Sequence, residues 1–239
     1  MKILAIEAAA NVVSVAITDD NKLIGEYTIN YKKTHSQTLM PMIKQLTDDC
    51  EISGEDIDLI AVSNGPGSFT GLRIGVETAK ALAHGWKKKV VGVDTTYAMA
   101  CNLGFCDKNT YVVPIMDARR NQVYTGIYCF ENDKITTVME TDAIKISDLT
   151  DIILKSGKNA VFLGDGVLVY QKFIKEALGD RAFFANVNNN MQRAASVAVA
   201  ASKLYENKEF DTYLSLVPKY LRKSQAEREY EEKQKNGGV

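Results

Sequence analysis

The stretch Ser63–Gly75, SNGPGSFTGLRIG, leads from an apolar run ending in Ala61 and Val62 into a helical one. Gly65 and Gly67 bracket Pro66, so the backbone can bend sharply there and expose amides without Cβ crowding. Ser68 or Thr70 is placed to cap the helix that follows, Thr70 to Trp86. The free N–H groups and positive dipole end of such a helix suit a phosphate. A tight strand-to-helix connection with close packing at Gly71 and Gly75 also fits the same residues. The stretch is not a Walker loop, because no Gly-Lys-Ser/Thr closes it, and it lacks the three-glycine spacing of a dinucleotide fingerprint.

Working outward, Ile57 to Ser63 reads as a strand buried on both faces. Upstream, Ile3 to Ile6, Val12 to Ile17 and Leu23 to Ile29 read as three antiparallel strands, with Asp19-Asp20-Asn21 as the tight turn between the last two. Between this meander and Ile57, Leu39, Met42, Ile43 and Leu46 recur at helical spacing and predict a helix over Thr34 to Cys50, capped by Thr34 or Ser36. Downstream, Val90 to Val93 is a strand and Thr95 to Phe105 a helix. The order then restarts. Val112 to Met116 is strand-like, with Pro114 implying an edge or a bulge. Val123 to Phe130 and Ile135 to Glu140 follow as strands, Ser147 to Lys155 as a helix, Val161 to Leu163 as a strand, and Val167 to Leu178 as a helix. Arg193 to Tyr205 is an alanine-rich helix.

The restart is a repeat. Glu7-Ala8, two residues, then Asn11 precede a β-rich run, and Asp117-Ala118, two residues, then Asn121 precede another, 110 positions on. Each half continues strand, strand, strand, helix, strand, helix. The expected fold is therefore α/β, with two duplicated lobes facing a cleft: residues 1–105, then residues 106–222. From Ser224 the chain is charged and has no large aliphatic residue before Val239, which predicts a solvated helix end fraying into a disordered tail over 223–239.

The totals set outer limits. The chain has 239 residues, 46% hydrophobic and 25% charged, an ordinary globular composition. The 29 basic and 30 acidic residues leave a net charge of −1, which argues against a strong general nucleic-acid footprint. No basic leader with a long apolar stretch opens the chain, and no apolar run reaches membrane-spanning length, so a soluble, cytoplasmic protein is expected. Cys50, Cys101, Cys106 and Cys129 lack metal or redox spacing and read as reduced, buried thiols.

Few residues invite chemistry. Glu7 and Asp117, each at a strand end, suit magnesium binding or orientation of a nucleophile across a kinase-like cleft, and equally suit bonding to neighbouring backbone. Alanines follow Glu7, and alanine offers phosphate no hydroxyl. His35 and His84 have no His or Cys partner at helical spacing, so no metal site is expected. Ser68 and Thr70 lack an adjacent base, so neither reads as a nucleophile. Gly164-Asp165-Gly166, between a strand and a helix, suits either a plain turn or approach to a nucleotide. The weak candidates for cofactor contact are thus Gly65, Gly67, Ser68, Gly164 and Gly166.

Taken together, KILAIEAAANVVSVAI from Lys2, HSQTLMPMI from His35, SNGPGSFTGLRIG, GVDTTYAMA from Gly92, the GDG turn and PKYLR ending at Arg222 resemble the TsaB (YeaZ) family. The resemblance runs to about Arg222. It implies an actin-like, sugar-kinase-like fold of two ribonuclease-H-type lobes. It also implies a role in forming threonylcarbamoyladenosine next to the anticodon of transfer RNA. The catalytic paralogue TsaD binds metal through a His-x-x-x-His pair; Thr95 and Met99 stand where that pair would fall, and neither replaces an imidazole. Members usually carry Asp-Thr-Ser after the first strand, where this chain has Glu7-Ala8-Ala9.

The resemblance therefore implies a non-catalytic scaffold. It would pair with TsaD, with the ATPase TsaE joining a ternary complex. ATP and metal would sit on those partners, transfer RNA would be met only through the complex, and the chain would self-pair as a homodimer when TsaD is absent. The competing reading is a nucleotide-binding phosphotransferase of the actin-like superfamily. The implied pairing surface is the first two helices: Leu39, Met40, Ile43 and Leu46, with Leu72, Ile74, Gly75, Val76, Ala79 and Ala83. Their apolar coverage is wider than one stripe, as expected of helices packed on two sides, although full burial inside the monomer gives the same pattern.

Overall fold

The computed structural model describes residues 1–31, 34–131 and 134–222. The charged tail read over 223–239 lies outside the described residues. In the first half, β1 (Lys2–Glu7), β2 (Val13–Asp19) and β3 (Lys22–Ile29) form the meander, and α1 (His35–Asp49), β4 (Leu59–Gly65), α2 (Phe69–Trp86), β5 (Lys89–Asp94) and α3 (Thr95–Ala100) follow. The second half runs β6 (Thr110–Asp117), β7 (Gln122–Glu131), β8 (Lys134–Lys145), α4 (Ile146–Ser156), β9 (Asn159–Leu163), α5 (Gly166–Leu178), β10 (Ala182–Phe184) and α6 (Ala194–Glu206). The sheets are ordered β3-β2-β1-β4-β5 and β8-β7-β6-β9-β10. In each, the first strand runs antiparallel to the second and parallel to the fourth. Two copies of one ribonuclease-H-like topology thus give the actin-like, sugar-kinase-like architecture.

The pleat explains why the first sheet is buried on both faces. Leu4 and Ile6 point to the side covered by α1 and α2, meeting Leu39, Ile43, Leu46, Val76 and Ala79. Ile3 and Ala5 point the other way, onto Ala194, Val197, Ala198 and Ala201 of α6. The alanines on both partners let helix and sheet approach closely. The last helix of the second half therefore completes the first lobe's core. Helix α3 does the reciprocal service, packing Met99 and Ala100 among Val112, Met116, Tyr128 and Leu163. Division at residue 105 follows chain order; in space α3 and α6 cross between the lobes and touch each other.

Three expectations are corrected. Pro114 is at neither an edge nor a bulge of β6: that strand is central, Pro114 pairs with Leu163 of β9, and the register with β7 is the same before and after it. The β6–β7 pairs pass from Val112–Tyr128 to Ile115–Thr125, so this ladder skips the residue that has no N–H to give. Helix α3 ends at Ala100, where the predicted helix ran to Phe105; past it, the Asn102 amide donates to the carbonyls of Asn189 and Met191. Of the four free thiols, only Cys129 is buried; the others are half-buried.

After α6 the chain crosses the first lobe. Asp211 bridges to Val90, Leu216 enters the core, and the Lys219 amide donates to the Asn64 carbonyl at 2.6 Å. Tyr220 stacks on Phe69 with ring centroids 4.1 Å apart, and Arg222 donates to the Ala118 carbonyl and Gln122 side chain of the second lobe. Among the described residues no helix is long and apolar enough to cross a membrane.

Candidate functional site

Because β1 and β4 are parallel neighbours, their turns emerge at the same end of the first sheet, and the turns after β6 and β9 do so in the second. The four turns meet across a cleft of about 670 Å³. Its walls include Ala9, Ala10, Gly67 and Ser68 from one lobe, Asp117, Arg119 and Asp165 from the other, and Arg222. Gly65-Pro66-Gly67 and Gly164-Asp165-Gly166 occupy equivalent places, each at the end of its sheet's fourth strand and before a helix. Gly65 and Gly164 adopt φ of 130° and 108°, conformations that a side chain would strain. The repeat is therefore visible in a second motif, and a search for Gly-x-Gly after each fourth strand would have found it.

In the first lobe the two turns are pressed together. The Ser68 amide donates to the Ala9 carbonyl at 2.6 Å, and His35 Nε2 lies 2.8 Å from the Ala10 carbonyl. A Cβ at Gly67 would sit 2.2 Å from the Ala9 oxygen, and one at Gly71 would sit 2.1 Å from the Ala8 oxygen. At Gly75 it would meet the Ala8 methyl at 3.2 Å. Ser68 caps α2 by accepting the Gly71 amide at 3.3 Å. The glycines thus serve close packing, the second of the two readings of this stretch.

Glu7 lies beneath this contact, 1% exposed. It accepts the Ala9 amide at 2.7 Å and the Ser63 hydroxyl. Burial pushes its carboxyl up to about 7, with the two hydrogen bonds pulling the other way. Asp117 makes the equivalent turn contact, accepting the Arg119 amide at 2.9 Å, and also takes the Tyr170 hydroxyl at 3.3 Å. It differs in opening onto the cleft. Asp165 faces the same cleft; burial, then the charge of Asp117, pushes its carboxyl up to about 6. Arg119, Arg120 and Asn121 are consecutively left-handed, with φ of 65°, 58° and 59°. That conformation costs a non-glycine residue roughly 1–2 kcal/mol.

Thr95 and Met99 lie one turn apart on α3, both fully buried. His84 packs against Tyr213. Among the described residues no three His, Cys, Asp or Glu side chains are grouped to hold a metal ion.

The ten residues read as a pairing surface divide by burial. Leu39, Ile43, Leu46, Leu72, Gly75, Val76, Ala79 and Ala83 are buried, and Leu39, Ile43, Leu46, Val76, Ala79 and Ala83 pack in one core with the first sheet, so the monomer itself consumes most of the apolar width of both helices. Of the ten residues, Met40 stays exposed at 48% and Ile74 half-buried.

A family model described as "TsaD: tRNA N6-adenosine threonylcarbamoyltransferase" matches residues 22–230. The tRNA threonylcarbamoyladenosine biosynthesis protein TsaB of Bacillus subtilis (strain 168) is 33% identical over 98% of this chain and 100% of its own length. YeaZ from Pseudomonas aeruginosa superposes with a TM-score of 0.76 at 22% identity, over 92% of this chain and 99% of that one. The ROK hexokinase of Thermus thermophilus shares the fold at a TM-score of 0.51 and 9% identity, over 86% and 100%. Full-length similarity to a curated TsaB, on the two-lobed frame that YeaZ also has, means that the chain belongs to the TsaB (YeaZ) family.

Proposed function

We propose that this chain is a non-catalytic subunit in the formation of threonylcarbamoyladenosine in transfer RNA. It holds the catalytic paralogue TsaD, with TsaE joining the assembly, and leaves ATP and metal to those partners. One observation carries the reading: the turn after β1, where an actin-like kinase grips phosphate, is Ala8-Ala9-Ala10, and its carbonyls press on the Gly67–Gly71 turn. Alanines offer a phosphate no hydroxyl there. The buried Thr95 and Met99 support it further, since neither supplies an imidazole.

The surface offered to TsaD is the outer edge of α1 and α2 around Met40 and Ile74. A twofold contact through the same edge gives the homodimer when TsaD is absent. Reconstitution tests this. Modification of transfer RNA by TsaD and TsaE should require the chain. The double variant Met40→Glu, Ile74→Glu should lose both co-elution with TsaD and self-association while its circular dichroism stays unchanged. Unimpaired modification without the chain, or tight magnesium-ATP binding with turnover by the chain alone, would refute the proposal.

A further inference from the structure

A second pocket, of about 700 Å³, opens where the segment after α6 crosses the lobe junction. It shares no lining residue with the turn-lined cleft. Its walls come from β4, β5, α3, β7, β8, α6 and the crossing segment. They bring together four carboxylates, Asp94, Glu140, Glu209 and Asp211, with Lys219 the single cation in the lining.

The lining also holds aromatic residues. Tyr97 and Tyr128 line the same pocket, 5.7 Å apart between centroids. Burial holds the Tyr97 phenol up at about 12, with smaller additions from Cys101 and then Glu209, and burial raises Tyr128, with additions from Asp94 and Glu140. Asp94 is fixed in place: its Oδ1 accepts the Thr96 amide at 2.9 Å, the Tyr97 amide at 3.1 Å and the Thr141 hydroxyl at 2.9 Å.

Asn64 supplies an independent sign of a ligand. It is 4% exposed and lines the pocket, and its side-chain oxygen Oδ1 has no hydrogen-bond partner. Its backbone carbonyl is already taken by the Lys219 amide. Its Nδ2 crowds Gly92, where a Cβ would lie 2.4 Å away. A buried amide oxygen without a partner is destabilising, and an N–H donor that reached it from the pocket would relieve that cost.

Four carboxylates in one pocket with an unpartnered amide oxygen select a cation that carries N–H groups. We infer that this pocket binds an alkylammonium or guanidinium group. Two sources share that chemistry: a free polyamine, or a lysine or arginine side chain of a partner protein.

Calorimetric titration of the full chain with spermidine in one arm, and with an arginine-bearing hexapeptide in the other, separates the sources. Saturable binding in either arm is expected, weakened by added salt. Glu140 and Glu209 are exposed, so Glu140→Gln with Glu209→Gln should leave the fold intact. The pair of changes should weaken binding about fivefold. Asn64→Ser, with an unchanged unfolding midpoint, should weaken it further. Failure of both probes to saturate by about 10 mM, or binding undiminished in the double variant, would overturn the inference.

Discussion

Glu7 and Asp117 stand at the same place in two copies of one topology, yet their turns do opposite things. The first turn is closed. Its acid is buried, its carbonyls are capped by Ser68 and His35, and its alanines fill the space against Gly67 and Gly71. The second is open. Its acid faces a cleft beside Asp165, and a left-handed run carries Arg119 outward, 87% exposed. Both acids keep the bond to the amide two residues on. The duplicated frame therefore fixes where an acid sits and how its turn begins. The residues that follow decide whether the turn packs or faces solvent.

The largest test of that contrast is a methyl group. Gly67→Ala drives a Cβ into the Ala9 carbonyl, which is backbone and cannot yield, and should cost about 3 kcal/mol. The equivalent Gly166→Ala meets the Ile115 carbonyl at 2.9 Å and should cost about 1 kcal/mol. Urea midpoints compare the two; equal losses would erase the difference between closed and open turns.

Protonation gives the next effect. The Glu7 carboxyl rises from an ordinary 4.5 to about 7 on folding. Its favourable contribution is full below pH 4.5 and is lost as pH rises through about 7, because the unfolded chain gives up the proton first. The loss is on the order of 3 kcal/mol. Glu7→Gln should flatten this slope, measured as unfolding free energy at pH 5 and pH 8. Asp165→Asn should flatten a smaller slope of the same sign between 3.8 and about 6. If Asp165→Asn flattened the profile more than Glu7→Gln, the closed turn would not be the more buried one.

The smallest effect sits where the lobes are tied. Arg222→Ala removes the donor to Ala118 and Gln122 and should cost about 1 kcal/mol. Its clearer readout is faster hydrogen exchange at residues 118–122, with the Glu7 turn unchanged.

Much of this frame was legible in the residues. The Glu7 and Asp117 repeat revealed the shared order of elements in both halves, because a strand that ends in an acid and a tight turn reads locally. The helix starts near Thr34 and Ser68 followed from spacing and capping residues. What escaped needs the third dimension. The width of apolar coverage on α1 and α2 does not say whether a sheet or a partner fills it; burial assigns most of it to the sheet. Glycines 67 and 71 look the same whether they cradle an anion or a neighbouring carbonyl. Three-residue β10 is too short for any period, and Asn64 gains meaning only beside carboxylates that lie far along the chain.

The crossing of α6 sets a timetable for synthesis. A ribosome that has released the whole first half has made a sheet with one face covered and the other, Ile3, Ala5, Ala16, Leu59 and Ala61, still bare. That face waits for residues 194–201, about a hundred positions later. At roughly 5–20 residues per second, the nascent chain carries this open apolar surface for several seconds. For this molecule the vulnerable interval is therefore written into the order of its helices, and ends only when α6 has been translated.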